Sequence, residues 1–218
     1  MRQTSSLATI QRSHVAAKMT EPGPREAKAR AEDDAVDAAL VGRLRSGDAT
    51  AFRDLVARHI AVVAGIARRM LKDEAEAEDI AQEAMLRLWR SAAGLELGPG
   101  GLRPWLRRVT SNLCIDRVRS GQRTIVTDEV PEVAEPPTQV TNLEGQELSV
   151  RVAAAMQALP DRQRLALTLF HHEGLSQVEV GQAMGISDEA VESLLARARR
   201  ALKSSLAGEW KELLENDG

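Results

Sequence analysis

The chain has 218 residues, a formal net charge of -3, 43% hydrophobic residues and only 2% aromatic residues. This length allows two small domains, and a composition rich in Ala, Leu, Arg and Glu with few runs of strand-forming residues predicts an all-α fold. The negative charge excludes a protein that coats nucleic acid through bulk positive charge, and the single cysteine, Cys114, excludes an internal disulfide.

Residues 1–34 are mostly polar, follow no sustained apolar period and contain the helix breaker Glu21-Pro22-Gly23-Pro24. We predict that they form a flexible N-terminal tail. The sequence does not distinguish Met1 from Met19 as the start of translation. It contains no run of about 20 apolar residues and no signal-peptide core, so we expect a cytoplasmic protein.

Residues 35–123 show helical periodicity and are predicted to form the first domain. An apolar stripe runs from Phe52 to Met70, with Asp48 placed to cap the helix that carries it. His59 falls on this stripe, and no second metal ligand lies one turn away. We interpret His59 as a core or boundary histidine and predict no metal site.

The next predicted helix, residues 73–90, has an acidic start and an apolar core face. Leu86 points away from that face. One interpretation is a solvated surface with a single stray leucine, and the other is a surface for docking a partner helix, apolar at its centre and charged at its rim. The rim residues are Asp79, Gln82, Glu83 and Arg90.

A glycine-rich segment, residues 94–101, precedes a basic helix that extends to about Ser120. Residues 103–123 contain six arginines and one acidic residue, Asp116. The spacing of Arg108, Asn112, Ile115 and Arg119 places them on one face. A solvated basic face is the simpler interpretation, but arginines beside an asparagine that can contact a base edge favour nucleic-acid binding.

Residues 124–147 contain six acidic residues, three prolines and no basic residue, which predicts a flexible acidic linker. Residues 148–210 then have the pattern of a helix-turn-helix domain, with a capping box at Ser176, a turn at Gly185 and a second cap at Ser187. Residues 211–218 are predicted to form a C-terminal tail. Adjacent histidines such as His171 and His172 diverge on a helix, so we predict no metal site there.

The order of these motifs resembles the extracytoplasmic-function group of sigma-70 RNA polymerase sigma factors. Asp79-Ile-Ala-Gln82-Glu83, Trp89 and the run from Trp105 to Arg117 are similar to region 2 of that family. Leu159-Pro160, Gly174-Leu-Ser176, Gly185-Ile-Ser187 and Ala196-Arg197-Ala-Arg199 are similar to its region 4. The resemblance implies a region 2 helical bundle and a region 4 helix-turn-helix domain in a protein without catalytic activity or cofactor.

By this resemblance, each of three surfaces has its own partner. The core polymerase surface, which would contact the clamp helices of the largest subunit, comprises Asp79, Gln82, Glu83, Leu86 and Arg90. The residues implied to bind the minus-ten element are Arg103, Trp105, Arg107, Arg108, Asn112, Arg119 and Arg123. The residues implied to bind the minus-thirty-five element are Ser187, Glu189, Glu192, Ser193, Ala196, Arg197 and Arg200. A cognate anti-sigma factor is a further implied partner.

The second domain departs from the family pattern at Glu192-Ser193-Leu194, where members usually carry basic residues on either side of the serine, and at Ala196. This leaves the promoter sequence open. Two other functions remain open as well. One is a sigma-mimicking adaptor that binds an anti-sigma factor, and the other is a helix-turn-helix regulator that binds DNA without polymerase.

Overall fold

The computed structural model describes residues 24–98, 100–124 and 143–207, and it confirms the predicted all-α fold over these ranges. The described helices are α1 (Pro24–Arg45), α2 (Ala49–Met70), α3 (Glu74–Ser91), α4 (Leu102–Thr124), α5 (Leu143–Gln157), α6 (Asp161–Leu167), α7 (Gln177–Met184) and α8 (Asp188–Ser205). A 3-10 turn, Ala92–Gly94, follows α3, and a π-helical turn, Thr168–His172, follows α6. The tails predicted at residues 1–23 and 211–218, linker residues 125–142 and the Arg123 side chain lie outside the described residues.

Side-chain caps set the starts of two helices in the first domain. The Asp48 carboxylate accepts hydrogen bonds from the backbone N–H groups of Thr50, at 2.8 Å, and Ala51, at 3.2 Å. Asp73 caps α3 in the same way through the N–H of Glu76, at 3.0 Å. These bonds satisfy N–H groups that have no partner within the helix.

The first helix begins earlier than the sequence pattern predicts. Residues 24–34 are helical and form the first part of α1, so the predicted flexible tail is wrong for these residues. Asp33 and Asp37 hold α1 against α2: the guanidinium of Arg58 donates to Asp33 at 3.2 Å and to Asp37 at 2.8 Å. Ionic contacts between helices, rather than an apolar stripe, therefore attach this part of α1.

The first domain is a bundle of α1, α2, α3 and α4 around one core. Its largest fully buried side chains come from all four helices: Val41, Leu55, Val63, Ile66, Met70, Leu88 and Leu102. His59 is buried as predicted, and its Nε2 lies 2.9 Å from Asp37 Oδ2. The described residues contain no group of metal-ligating side chains.

The second domain packs α6, α7 and α8 around Leu165, Leu169, Val180, Val191 and Leu195. Ser176 and Glu179 form the predicted capping box at the start of α7. The helix α5 begins at Leu143, so the predicted linker is wrong for residues 143–147, which are helical.

The turn between α7 and α8 is tight. Gly185 adopts a left-handed conformation with φ of 64°, which glycine adopts without the steric cost that a side chain would add. A Cβ at Gly181 would lie 2.8 Å from the carbonyl oxygen of Ile186, so glycine also permits the two helices to approach each other. Ser187 then caps α8 by accepting from the N–H of Ala190 at 3.4 Å.

The two domains contact each other. Helix α4 packs along α7 and also contacts α6, while α2 contacts α6 and the π-helical turn. Within the part of the chain that the structure describes, no helix is long and apolar enough to cross a membrane.

Candidate nucleic-acid and partner interfaces

Helix α3 has an outward face with an apolar centre. Leu86 is 43% exposed and Trp89 is 39% exposed, whereas Ile80, Ala84 and Leu88 on the other face are buried. Asp79, Gln82 and Arg90 are exposed, and Glu83 is partly exposed. The structure thus brings all five predicted polymerase-binding residues to one helix surface.

Contacts between neighbouring side chains organise this face. The Glu83 carboxylate accepts from Arg87 at 3.1 Å and lies 3.5 Å from Arg90. The Trp89 ring packs edge-to-face on Phe52 of α2, with ring centroids 5.1 Å apart. Trp89 was named in the region 2 resemblance but was not predicted as a surface residue. Its position three residues after Leu86 on the same helix indicates that it shares the outward face.

The basic helix α4 divides the predicted minus-ten residues between two faces. Arg108, Asn112 and Arg119 are exposed together on one face, with Ile115 partly buried among them. Trp105 is partly buried and packs against the core. This exposed face combines two guanidinium groups with an amide, which suits contacts to phosphates and to a base edge.

The predicted minus-ten set includes two more arginines of α4 that the structure describes. Both interact with other helices of the protein. Arg103 forms an ion pair with Asp33 of α1. Arg107 is partly buried between the domains, and burial lowers the pKa of its guanidinium group. The sequence alone could not separate these two from the exposed arginines, because their partners lie on other helices.

Helix α8 presents the predicted minus-thirty-five residues on its outer side. Val191, Leu195 and Ala198 are buried on its inner side. Most of the predicted set is exposed, and Ser193 is partly buried. The exposed members are Ser187, Glu189, Glu192, Ala196, Arg197 and Arg200.

Two charged residues of α8 are already occupied by local contacts. Hydrogen bonds from its own backbone N–H and from the Ser187 side chain lower the pKa of the Glu189 carboxyl group, so Glu189 contributes to the start of the helix. The Arg199 guanidinium lies 5.5 Å from the centre of the Phe170 ring. This cation–π contact attaches the inner flank of α8 to the π-helical turn.

Family comparisons match both domains. Residues 55–124 match the model described as Sigma-70 region 2. Residues 149–202 match the model described as Sigma-70, region 4. The first match covers α3 and α4 with their outward faces, and the second covers the helix-turn-helix.

Three curated relatives are similar over about three quarters of this chain. The probable RNA polymerase sigma factor RfaY of Xanthomonas campestris pv. campestris is 33% identical over 79% of this chain and 45% of its own length. The ECF RNA polymerase sigma factor SigE of Mycolicibacterium smegmatis is 33% identical over 75% of this chain and 64% of its own length. The chain therefore spans about half to two thirds of these two relatives. The ECF RNA polymerase sigma factor SigM of Mycobacterium tuberculosis is 31% identical over 76% of this chain and 82% of its own.

Two solved structures are similar to this chain in fold. CnrH, in a structure with the cytosolic domain of CnrY, is 26% identical with a TM-score of 0.58, covering 79% of this chain and 98% of CnrH. The sigma factor RpoE of Bartonella quintana, in complex with the anti-sigma factor NepR, has a TM-score of 0.59 at 23% identity, covering 72% of this chain and 96% of its own. The latter likeness shows the fold. The two matched regions and the 31% identity to SigM over most of its length show that the chain belongs to the extracytoplasmic-function subfamily of the sigma-70 RNA polymerase sigma factors.

Proposed function

We propose that this chain directs core RNA polymerase to a chosen set of promoters in the cytoplasm and assists their melting, without catalysing a reaction itself. The observation that carries the proposal is the separation of two outward faces on one bundle. Leu86 and Trp89 are exposed on α3, while Arg108, Asn112 and Arg119 are exposed on α4. One domain can therefore contact a protein and DNA at the same time.

The α3 face has the chemistry of a protein docking surface. Its exposed leucine and tryptophan can be buried by a partner, and aromatic anchors of this kind contribute strongly to binding. The Glu83 ion pairs at its edge remain able to contact a charged rim. We propose that this surface contacts the clamp helices of the largest polymerase subunit.

The α4 face and helix α8 suit the two halves of a promoter. Arg108 and Arg119 can neutralise phosphates of a melted strand, while the Asn112 amide can form hydrogen bonds with a base edge. Helix α8 stands on α7 in helix-turn-helix geometry and its outer side is exposed, which is what entry into a major groove requires. We propose minus-ten recognition for α4 and minus-thirty-five recognition for α8.

The test is in vitro transcription with core polymerase and a promoter library randomised at both elements. The proposed function predicts transcripts from a defined subset of promoters only when the chain is added. Duplex binding without core polymerase and without transcripts would instead identify a helix-turn-helix regulator.

A second candidate function is a sigma-mimicking adaptor, which binds an anti-sigma factor and supports no transcription. The complex of the sigma factor RpoE with the anti-sigma factor NepR motivates this alternative. It also motivates the proposal of an anti-sigma factor as a natural partner of an active sigma factor. Transcription in the library experiment would exclude the adaptor as the sole function.

A further inference from the structure

A cavity between α2 and α4 is lined by basic side chains. Its volume is about 180 Å³, many times the roughly 10–15 Å³ that a single water requires. Arg103 and Arg107, one turn apart on α4, line it together with Arg58 of α2. None of the described residues that line it is acidic. Such a cavity has the size and the charge to hold a polyatomic anion.

Two of these three guanidinium groups are held in place by α1. Arg58 donates to Asp37 at 2.8 Å and to Asp33 at 3.2 Å. Arg103 forms an ion pair with Asp33 through its Nη2, and this contact leaves its Nε and Nη1 donors for another acceptor. The two aspartates therefore fix the positions of the guanidinium groups without using all of their hydrogen-bond donors.

The third guanidinium group, that of Arg107, lacks a direct counterion. Its Nε is buried without a hydrogen-bond partner, and Arg107 forms no ion pair with any residue that the structure describes. Burial lowers the pKa of this group, although the charges of Glu173 and Glu179 act in the opposite direction, and Glu179 is itself paired with Arg30 at 3.6 Å.

The cavity therefore retains a positive charge that an anion could balance. The two carboxylates of α1 balance two of the three guanidinium charges, and the charge of Arg107 is left over. A partly desolvated charge without a counterion is unfavourable, and an anion bound beside it offsets that cost.

The arrangement of donors favours a phosphate group. A planar carboxylate has two oxygens, whereas a phosphate monoester has three terminal oxygens, one for each guanidinium group. Apart from His59, whose Nε2 lies 2.9 Å from Asp37 Oδ2, the rest of the wall is apolar and comprises Val62, Val63 and Leu106. This wall offers no polar group for a sugar or a second phosphate, so the ligand is a single phosphate group with at most a small apolar substituent.

The cavity lies away from the proposed DNA-binding face of α4. At 100° per residue, Arg103 and Arg107 point roughly 150° around the helix from the exposed face that carries Asn112. A DNA strand bound along that face does not reach the cavity. A free phosphate compound is therefore a better ligand for this site than the DNA backbone.

We propose that this cavity binds inorganic phosphate or a small phosphate monoester through Arg58, Arg103 and Arg107. The inference does not rest on the proposed function, because neither polymerase nor promoter takes part in it. The three arginines belong to α2 and α4 and are held by α1, so the bound phosphate connects three helices of the first domain. A ligand that binds only the folded state also stabilises it.

The first test is an NMR titration of the arginine Nε–H signals of the full, isotope-labelled chain with inorganic phosphate. Chloride is lowered in step to keep the ionic strength constant. The Arg107 signal, identified by its absence in Arg107→Gln, should shift and saturate with a dissociation constant of about 1 mM. The Arg119 signal should not shift, because Arg119 is exposed on the other face of α4. Absence of a saturable shift at Arg107 would overturn the site.

Thermal melting measures the same binding without labels. Phosphate at about ten times its dissociation constant should raise the Tm of the parent by roughly 3–6 °C relative to chloride at equal ionic strength. Arg119→Gln, the matched control on the same helix, should show the same rise. Arg107→Gln should bind roughly tenfold more weakly and gain only about 1 °C.

An equal rise in all three proteins would show a general salt effect on stability and would overturn the site. If Arg107→Gln does not fold, Arg107→Lys replaces it, since lysine keeps the charge but loses the planar donor fork and should also bind more weakly. Unweakened binding by Arg107→Lys would likewise overturn the role of the guanidinium group.

Two further probes distinguish a free phosphate compound from the DNA backbone. Methyl phosphate retains three terminal oxygens and should bind at least as tightly as inorganic phosphate. Dimethyl phosphate has two, as the phosphodiesters of DNA have, and should bind roughly tenfold more weakly. Equal binding of dimethyl phosphate in the NMR titration would overturn the assignment to a free phosphate or monoester and would indicate a DNA phosphate as the ligand.

Discussion

Leu86 is the residue on which polymerase binding should depend most directly. Its side chain is 43% exposed at the centre of the α3 face, so Leu86→Glu should leave the melting temperature unchanged. A desolvated carboxylate at the centre of an apolar contact costs a few kcal/mol, on the order of a hundredfold in affinity. Retention on immobilised core polymerase measures the loss. Val36→Glu on α1, at a similarly exposed position of 46%, is the control and should bind normally.

Arg119 and Asn112 share the exposed face of α4 and should have separable effects. Arg119→Ala removes a phosphate contact, so it should weaken all promoters alike and lower the salt dependence of binding by about one ion. Asn112→Ala should instead change which minus-ten sequences are accepted. Affinity across a salt series and a library of minus-ten sequences measure both effects. An unaltered base preference for Asn112→Ala would show that the amide is structural.

Glu192 is exposed on α8, where members of the family usually carry a basic residue. A carboxylate in the major groove can accept from the amino group of cytosine, which predicts that Glu192→Lys changes the preferred base at one minus-thirty-five position by about 1–3 kcal/mol. The alternative is a carboxylate that faces solvent. In that case the substitution raises affinity on every sequence and steepens the salt dependence. A randomised promoter library transcribed by both proteins distinguishes the two results.

At the scale of single elements, two glycines have opposite roles. Gly42 lies inside α1, and a Cβ added there would have no packing neighbour within 4 Å, so Gly42→Ala should stabilise the protein by about 0.5–1 kcal/mol. Gly185 ends α7 at φ of 64°, and Gly185→Ala should destabilise it by about 1–2 kcal/mol. Urea unfolding measures the change in the free energy of unfolding for each variant. Changes of the same sign would contradict the assigned conformations.

The attachment of α1 to α2 should depend on pH through Asp37. Burial acts to raise the pKa of this carboxyl group, but the close approach of His59, whose Nε2 lies 2.9 Å from Asp37 Oδ2, and the hydrogen bond from Arg58 outweigh it, and the pKa lies below its ordinary value. A lowered pKa stabilises the fold above the unfolded-state value near 4, and this contribution is lost as pH falls through the folded-state value.

Asp37→Asn should therefore cost about 2–3 kcal/mol at pH 7, since a hydrogen-bonded charge is removed from a buried site. The difference from the parent should persist to about pH 4 and narrow at lower pH. Urea unfolding across this range measures it. A difference that stays constant down to pH 2 would show that the Asp37 charge is not responsible.

For the whole molecule, the features that the sequence predicts are those whose interacting residues lie close together along the chain. The caps at Asp48, Ser176 and Ser187 and the outward position of Leu86 depend on residues a few positions away, and the sequence pattern predicted them correctly. The helical residues 24–34 were missed because their ionic partners lie on other helices. Arg107 was grouped with the DNA-binding arginines because its contact with the second domain has no signature in local periodicity.

The connection between the two domains gives promoter binding a property that neither domain has alone. Residues 125–142 join α4 to α5, and even a fully extended chain from Thr124 to Leu143 reaches at most about 65 Å. In the proposed function, one bound domain keeps the other near its own element at an effective concentration of about millimolar, provided that the span permits both to bind. The number of base pairs between the two elements then contributes to promoter choice. The length of the linker, and not any individual side chain, sets this preference.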